Sequence, residues 1–323
     1  MSNAVLDNSR ISKHLGQISE YKDQYDPGLL VKEPRSNNRK HLSIQDDDLP
    51  FVGSDTWNAY EVSGLTTGGM PVAGVTKIVY PCDSKYIVES KSIKLYFNSY
   101  NMYKCAPSPD AVLNFIDQHA ADDLSRLLET DVQVKTLPAS YAAEGESVLS
   151  DYRYITLEEF FPQEKLRDMQ VDTYAETPEL LELYQLPTEH NEDGDEIFTT
   201  PFVPRTTRWH SSLLKSNCRV TSQPDWGDVY IMCRGQHQVT AESLLRYIIS
   251  FRDECHFHEE ICETIYKRLL DALHPEELVV TCLYARRGGI DINPVRGTSM
   301  RVIERECADL INPAVQHMKT AKQ

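Results

Sequence analysis

With 49 acidic residues against 33 basic ones, the 323-residue chain carries a net charge of −16. It offers no basic face for a phosphate backbone, which argues against nucleic acid as a direct partner but leaves room for a small base or nucleotide in one local pocket. The hydrophobic share of 41% can fill a sizeable core, and no apolar run approaches the about 20 residues that cross a bilayer.

The opening residues, MSNAVLDNSRISKHLGQ, are polar and lack the apolar centre of a secretion signal. A soluble, cytoplasmic protein is therefore expected. Residues 1–50 are turn-rich and read as a wrapping arm. Tyr60 to Leu65 and Pro71 to Tyr80 read as strands around Thr67-Gly68-Gly69, a hairpin signal. A helix follows from Glu89 to Tyr100, and another starts at Ser108-Pro109-Asp110, with a cap residue and proline in the first turn. Val132 to Leu137 and Tyr152 to Leu157 read as strands. Residues 158–207 are rich in Glu, Asp, Pro and Thr and read as a linker plus a solvated insertion centred on Glu192 to Glu196. Beyond them, Cys218 to Ser222 and Asp228 to Cys233 read as strands, Thr240 to Arg252 and Phe257 to Leu273 as helices, and Leu278 to Ala285 as a strand. Both halves thus run strand, strand, helix, helix, strand. ESKSIKLYFNSYN, from Glu89, also lies over TAESLLRYIISFR, from Thr240, at an offset of 151 (240 − 89), with Ser92, Tyr96 and Ser99 matching Ser243, Tyr247 and Ser250. Two copies of one ββααββ unit are expected.

Four stretches could carry chemistry. In LLKSNCRVTSQPDWGD, Cys218 follows a polar, partly basic run that would favour the thiolate. A turn at Pro224 can return Asp225 towards it, and Trp226 could shield that carboxyl from water and raise its pKa, making it a proton donor. A buried cysteine beside a turn aspartate is the plainer alternative. His258 and Glu259 stand at a helix start, where a carboxylate can accept from adjacent N–H donors of a guanine-like base or merely answer the helix dipole. Cys255, His256, His258 and Cys262 admit a zinc site, although they form no CxxC pair. Glu89 to Lys94, with two lysines at a helix start, and Arg286-Arg287-Gly288-Gly289 after a strand both suit a phosphate, or are solvated surface. Asp291-Ile292-Asn293-Pro294 reads as a continuation of that last turn, without chemistry. The other cysteines, 82, 105, 233, 282 and 307, read as free thiols of a reducing compartment. No GxGxxG, Walker loop, HExxH or GxSxG occurs.

Taken in order, ESKSIKLYFNSYN, LLKSNCRVTSQPDWGD, FHEE and RRGGIDINP, with Pro34-Arg35-Ser36-Asn37-Asn38-Arg39 and Leu49-Pro50-Phe51 upstream, resemble the 7-cyano-7-deazaguanine reductases, the nitrile reductases of queuosine biosynthesis, in their long two-module form. The match spans nearly the whole chain. The resemblance implies an α+β fold of tandem ββααββ tunnelling-fold (T-fold) modules that assemble into sheet barrels ringed by helices, which requires more than one chain, as in a homodimer. The expected division is an arm at 1–50, a first module at 51–157 with cofactor and base contacts, an acidic insertion at 158–207 and a second module at 208–323 with the nucleophile. The resemblance also implies that Cys218 forms a covalent thioimide and that Asp225 is the proton donor. Val88, Glu89, Ser90, His258 and Glu259 would contact the substrate. Ser90, Lys91, Arg287 and Gly288 would contact NADPH, of which two are needed per nitrile, and no metal is expected. A zinc-dependent GTP cyclohydrolase-like enzyme and a non-catalytic purine- or pterin-binding protein on the same fold remain the rivals.

Overall fold

The computed structural model describes residues 24–138, 154–184, 204–219, 222–317 and 319–323, and the backbone alone of 188–190 and 196–198. The first half contains β1 (Val52–Thr66), β2 (Pro71–Pro81), α1 (Ser90–Asn98), α2 (Pro109–Leu128) and β3 (Gln133–Pro138). The second contains β4 (Arg205–Ser211), a short β5 (Lys215–Asn217), β6 (Pro224–Gly235), α3 (Ala241–Ser250), α4 (His258–Leu273), β7 (Glu277–Tyr284), β8 (Ile290–Gly297) and α5 (Met300–Ile311). Helices α1 and α3 start at positions 151 apart (241 − 90), the offset at which their sequences align. Local chemistry explains the helix starts: Ser108 accepts from the Ala111 N–H with Pro109 in the first turn, and Thr240 accepts from the Ser243 N–H.

One sheet runs through both halves in the order β3-β2-β1-β8-β7-β6-β4, with Ile155–Thr156 parallel to β4 at its edge. The seam between the halves is the antiparallel pair β1–β8, in register from Ile290 opposite Ala59 to Gly297 opposite Val52. Strand alternation sends neighbouring side chains to opposite faces. Ile231, Cys233, Val280 and Cys282 therefore meet α3 and α4, while Met232, Val279 and Leu283 meet Val302, Ile303 and Leu310 of α5. Trp57, Ala59, Ile78 and Tyr80 form the first half's core with α1 and α2. The two cores are not independent of the arm, because its Leu42 and Ile44 pack, with Phe51, into the second half's cluster.

Three expectations change. The segment expected as a strand from Cys218 lies beyond β5, where Ser222 N–H donates to Cys218 C=O (2.8 Å) and Cys218 N–H to Gln223 C=O (2.8 Å); residues 220 and 221 lie outside the described residues. Asp291 to Pro294, expected as a turn, belong to β8 at the seam. Proline is tolerated there because the β7–β8 ladder runs only from Val295 to Gly297, so the missing N–H falls where that ladder has ended. Within 158–207, Leu166, Met169, Leu180 and Leu181 pack on the second core as a cover, whereas the acidic centre from Glu192 to Asp195 lies outside the described residues.

Candidate active site

Strands β5 and β6 form a hairpin that pairs Ser216 with Asp225 and Asn217 with Pro224, so Cys218 and Asp225 leave the same end of it. The thiol loop is anchored from the other side as well, by Asn217 N–H to Glu254 C=O (2.7 Å) and His256 N–H to Asn217 C=O (3.1 Å). Next to the hairpin, the first turn of α4 presents His258 and Glu259. From the first half, the end of Tyr86–Val88 and the start of α1 bring in Val88, Glu89 and Ser90. All of these, with Trp57, His256, Phe257, Arg287 and Ile292, line one narrow cavity of about 20 Å³ at the junction of the halves. A cleft of about 270 Å³ continues outwards between Ser90, Lys91, Lys94, Gln223, Arg287, Gly288 and Ile290. Ser90 and Arg287 line both spaces.

Electrostatics distinguishes the carboxylates. Asp225 is buried between two side chains: Arg287 Nη1 is 2.6 Å from one oxygen and His258 Nε2 is 3.4 Å from the other. The His258 ring packs tilted against Tyr284, with centroids 3.9 Å apart and planes at 30°, which fixes its orientation. Glu259 is 3% exposed, and its Oε1 has no hydrogen-bond partner. Burial, reinforced by Asp55, pushes its carboxyl up to about 8. A buried acceptor left without a donor is costly, so this oxygen suits a ligand that brings N–H groups. Glu89 differs again. Its carboxylate caps α1, accepting from Lys91 N–H (3.1 Å) and Ser92 N–H (2.7 Å).

Two expected roles do not hold. Trp226 does not shield Asp225: strand alternation turns it to the opposite face, where it is 39% exposed beneath the Arg252 guanidinium. Lys215 does not face the thiol, because its ammonium donates to Asn217 Oδ1 (2.8 Å) and Arg252 C=O (2.6 Å). The zinc candidates are also dispersed. Cys262 is buried in the core and donates to Val280 C=O, Cys255 is exposed, His256 lies between Glu254 and Glu260, and His258 faces Asp225. Sequence reasoning did not single out Trp57, Phe257 and Ile292 for the cavity, or Gln223 for the cleft. Lys94, the second lysine of the α1 start that reads as suiting a phosphate, does line the cleft.

The cleft fits a nucleotide cofactor, since Lys91, Lys94 and Arg287 supply three cations and Gly288 lets the backbone come close. Comparison with known proteins agrees in kind. Residues 21–136 match the family described as nitrile reductase, 7-cyano-7-deazaguanine-reductase N-term, and residues 224–302 match the QueF-like protein family. The NADPH-dependent 7-cyano-7-deazaguanine reductase of Legionella pneumophila (strain Lens) is 36% identical over 307 residues, covering 95% of this chain and 97% of that one. Its counterpart in Chromohalobacter salexigens is 38% identical over 286 residues (88% and 91%), and that in Bordetella parapertussis 39% over 282 residues (87% and 92%). A solved structure, archaeosine synthase QueF-Like in the apo form, aligns over 31% of this chain and 95% of its own at 21% identity and a TM-score of 0.25, too slight a likeness to carry an argument.

Proposed function

The chain belongs to the NADPH-dependent 7-cyano-7-deazaguanine reductase family and reduces that nitrile; we propose that it does so through a covalent thioimide on Cys218. The observation that carries this reading is the convergence of Cys218, Asp225, His258 and the unpartnered Oε1 of Glu259 on one cavity at the junction of the halves. A nitrile carbon is a poor hydride acceptor. Addition of the Cys218 thiolate breaks one C–N π bond and forms a C–S bond, while the nitrogen takes a proton from Asp225, with His258 behind it. The resulting C=N accepts a hydride at carbon and a proton at nitrogen. Expulsion of the thiolate leaves an imine, and a second hydride and proton give the aminomethyl product. Ser90, Lys91, Arg287 and Gly288 would hold NADPH, which would supply both hydrides, two being consumed per nitrile. Glu259 accepts from the ring N–H and exocyclic amine of the base, and Val88, Glu89, Ser90 and His258 complete its seat. The narrow cavity shelters the imine from hydrolysis.

The continuous sheet also supports tandem T-fold modules at 51–157 and 208–323, with a barrel closed by a second copy of the chain. Light scattering at the mass of a homodimer would support that assembly, and a monomer would refute it.

Absorbance at the NADPH band, with the nitrile limiting, tests the chemistry. Two NADPH oxidised per nitrile is the expected result. Mass spectrometry of the chain with nitrile alone should show one adduct, absent in Cys218→Ala. A Cys218→Ala protein that retains turnover would sink the thioimide.

A further inference from the structure

Behind the cavity lies a group of charges that none of these steps uses. Arg35, Arg39, Asp55, Glu263 and Arg296 are at most 4% exposed. Glu263 sits one helical turn after Glu259 on α4, about 6 Å along the axis. It is gripped twice by Arg39, from Nε (3.0 Å) and Nη2 (2.8 Å), and by Arg296, from Nε (3.2 Å) and Nη2 (2.9 Å). Arg296, on β8, also holds Asp55 of β1 across the seam at 2.8 Å. The other oxygen of Asp55 is paired with Arg35. The chain of contacts thus leaves the arm at Arg35, crosses β1, β8 and α4, and returns to the arm at Arg39.

The same arm segment is fastened to the opposite wall of the cavity. Lys32–Pro34 pairs antiparallel with Tyr86–Val88, Val31 C=O accepts from the Glu89 N–H (2.9 Å), and Ser92 Oγ accepts from the Val31 N–H (3.1 Å). One wall carries Val88, Glu89 and Ser90; the other carries His258 and Glu259. Buried ion pairs are poor sources of net stability, since packed apolar side chains do as well, whereas losing one partner strands a charge. Their directional contacts make them suited to fixing position.

We infer that the arm segment from Val31 to Arg39 staples the two walls of the catalytic cavity together, and that Arg39 and Glu263 are positioning residues that place Glu259 against the base. The inference rests on the reductase reading above. It separates base binding from thiol chemistry, because Cys218 hangs on the β5–β6 hairpin and the 254–256 segment, which the charge group does not touch.

The test uses the full chain with Arg39→Gln, Glu263→Gln and the double substitution, and Asp46→Asn as a control at the exposed end of the Arg39 contact. Steady-state kinetics gives KM for the nitrile and kcat. Adduct formation on Cys218 at saturating nitrile reports the chemistry alone. A misplaced recognition group costs about ten- to a hundred-fold, so KM should rise by that factor in both single variants. The adduct rate at saturation should change little, and the double variant should be no worse than the poorer single one. Arg39→Lys keeps the charge but not the two-pronged grip; its KM should also rise, and it covers the case in which Arg39→Gln does not fold. Variants that melt earlier with KM unmoved would overturn the staple and leave the group merely structural. A wild-type chain that oxidises no NADPH with the nitrile would instead sink the reductase reading itself.

Discussion

Glu259 is the residue whose protonation matters most for recognition. The folded protein keeps its proton up to about 8 because burial disfavours the carboxylate, whereas the unfolded chain releases that proton in the usual carboxylate range. Between those limits the folded state binds more protons than the unfolded one, so this group makes stability fall as pH rises through that window. The ligand-free protein should therefore lose melting temperature between the carboxylate range and about 8, and Glu259→Gln should remove that slope. Recognition has the opposite trend. Only the ionised carboxylate accepts from both N–H donors of the base, so KM for the nitrile should fall as pH rises through about 8. In Glu259→Gln, KM should be higher and lose this pH dependence. A wild-type KM flat across that range would show that Glu259 does not bind the base as a carboxylate.

At the scale of elements, the start of α1 performs two tasks with adjacent residues. Glu89 satisfies two N–H groups of the first turn, and that turn offers Ser90 and Lys91 to the cleft. Losing such a cap costs about 1 kcal/mol. Glu89→Ala should thus lower stability by that amount in urea titration and raise KM for NADPH, because the turn that carries Ser90 and Lys91 frays; an NADPH KM equal to wild type would detach the cap from the cofactor. Legibility followed the range of the contacts. Cys218 and Asp225 could be read together because they lie seven positions apart in one hairpin, and the α1 and α3 starts because both carry a local cap. Trp226 adjoins Asp225 in sequence yet cannot shield it, because neighbouring residues of a strand point to opposite faces. Asp291 to Pro294 looked like a turn because proline is rare in a paired strand; what permits it, a ladder that stops at Val295, is a property of two distant strands. The charge group was not legible beyond the Pro34 to Arg39 resemblance, since Arg39 meets Glu263 at a separation of 224 residues and Arg296 meets Asp55 at 241.

The whole molecule depends on the seam between its halves, because both the cavity and the cleft draw residues from each. Close packing there leaves no room for a side chain at Gly53 on β1: a Cβ would stand 2.0 Å from the Val295 carbonyl oxygen and 3.2 Å from the Arg296 Cα on β8. Gly53→Ala must therefore part β1 from β8 at the point where Arg296 reaches Asp55. Overpacking of this kind costs about 3 kcal/mol, several degrees in melting temperature. The way it is lost is more informative than its size. Two halves with separate cores, joined by a loose contact, would melt in two steps. Here eight register positions cross the seam, and Leu42 and Ile44 of the arm lie, with Phe51, in the second half's core. Calorimetry of the wild type should therefore give one transition, and Gly53→Ala should lower that transition without splitting it. Nitrile turnover should fall with it, since separating the strands separates Ser90 from Arg287. A wild-type trace with two resolved transitions would mean that the seam is a contact between independent domains, and the cavity would then have to be assembled by docking rather than by folding.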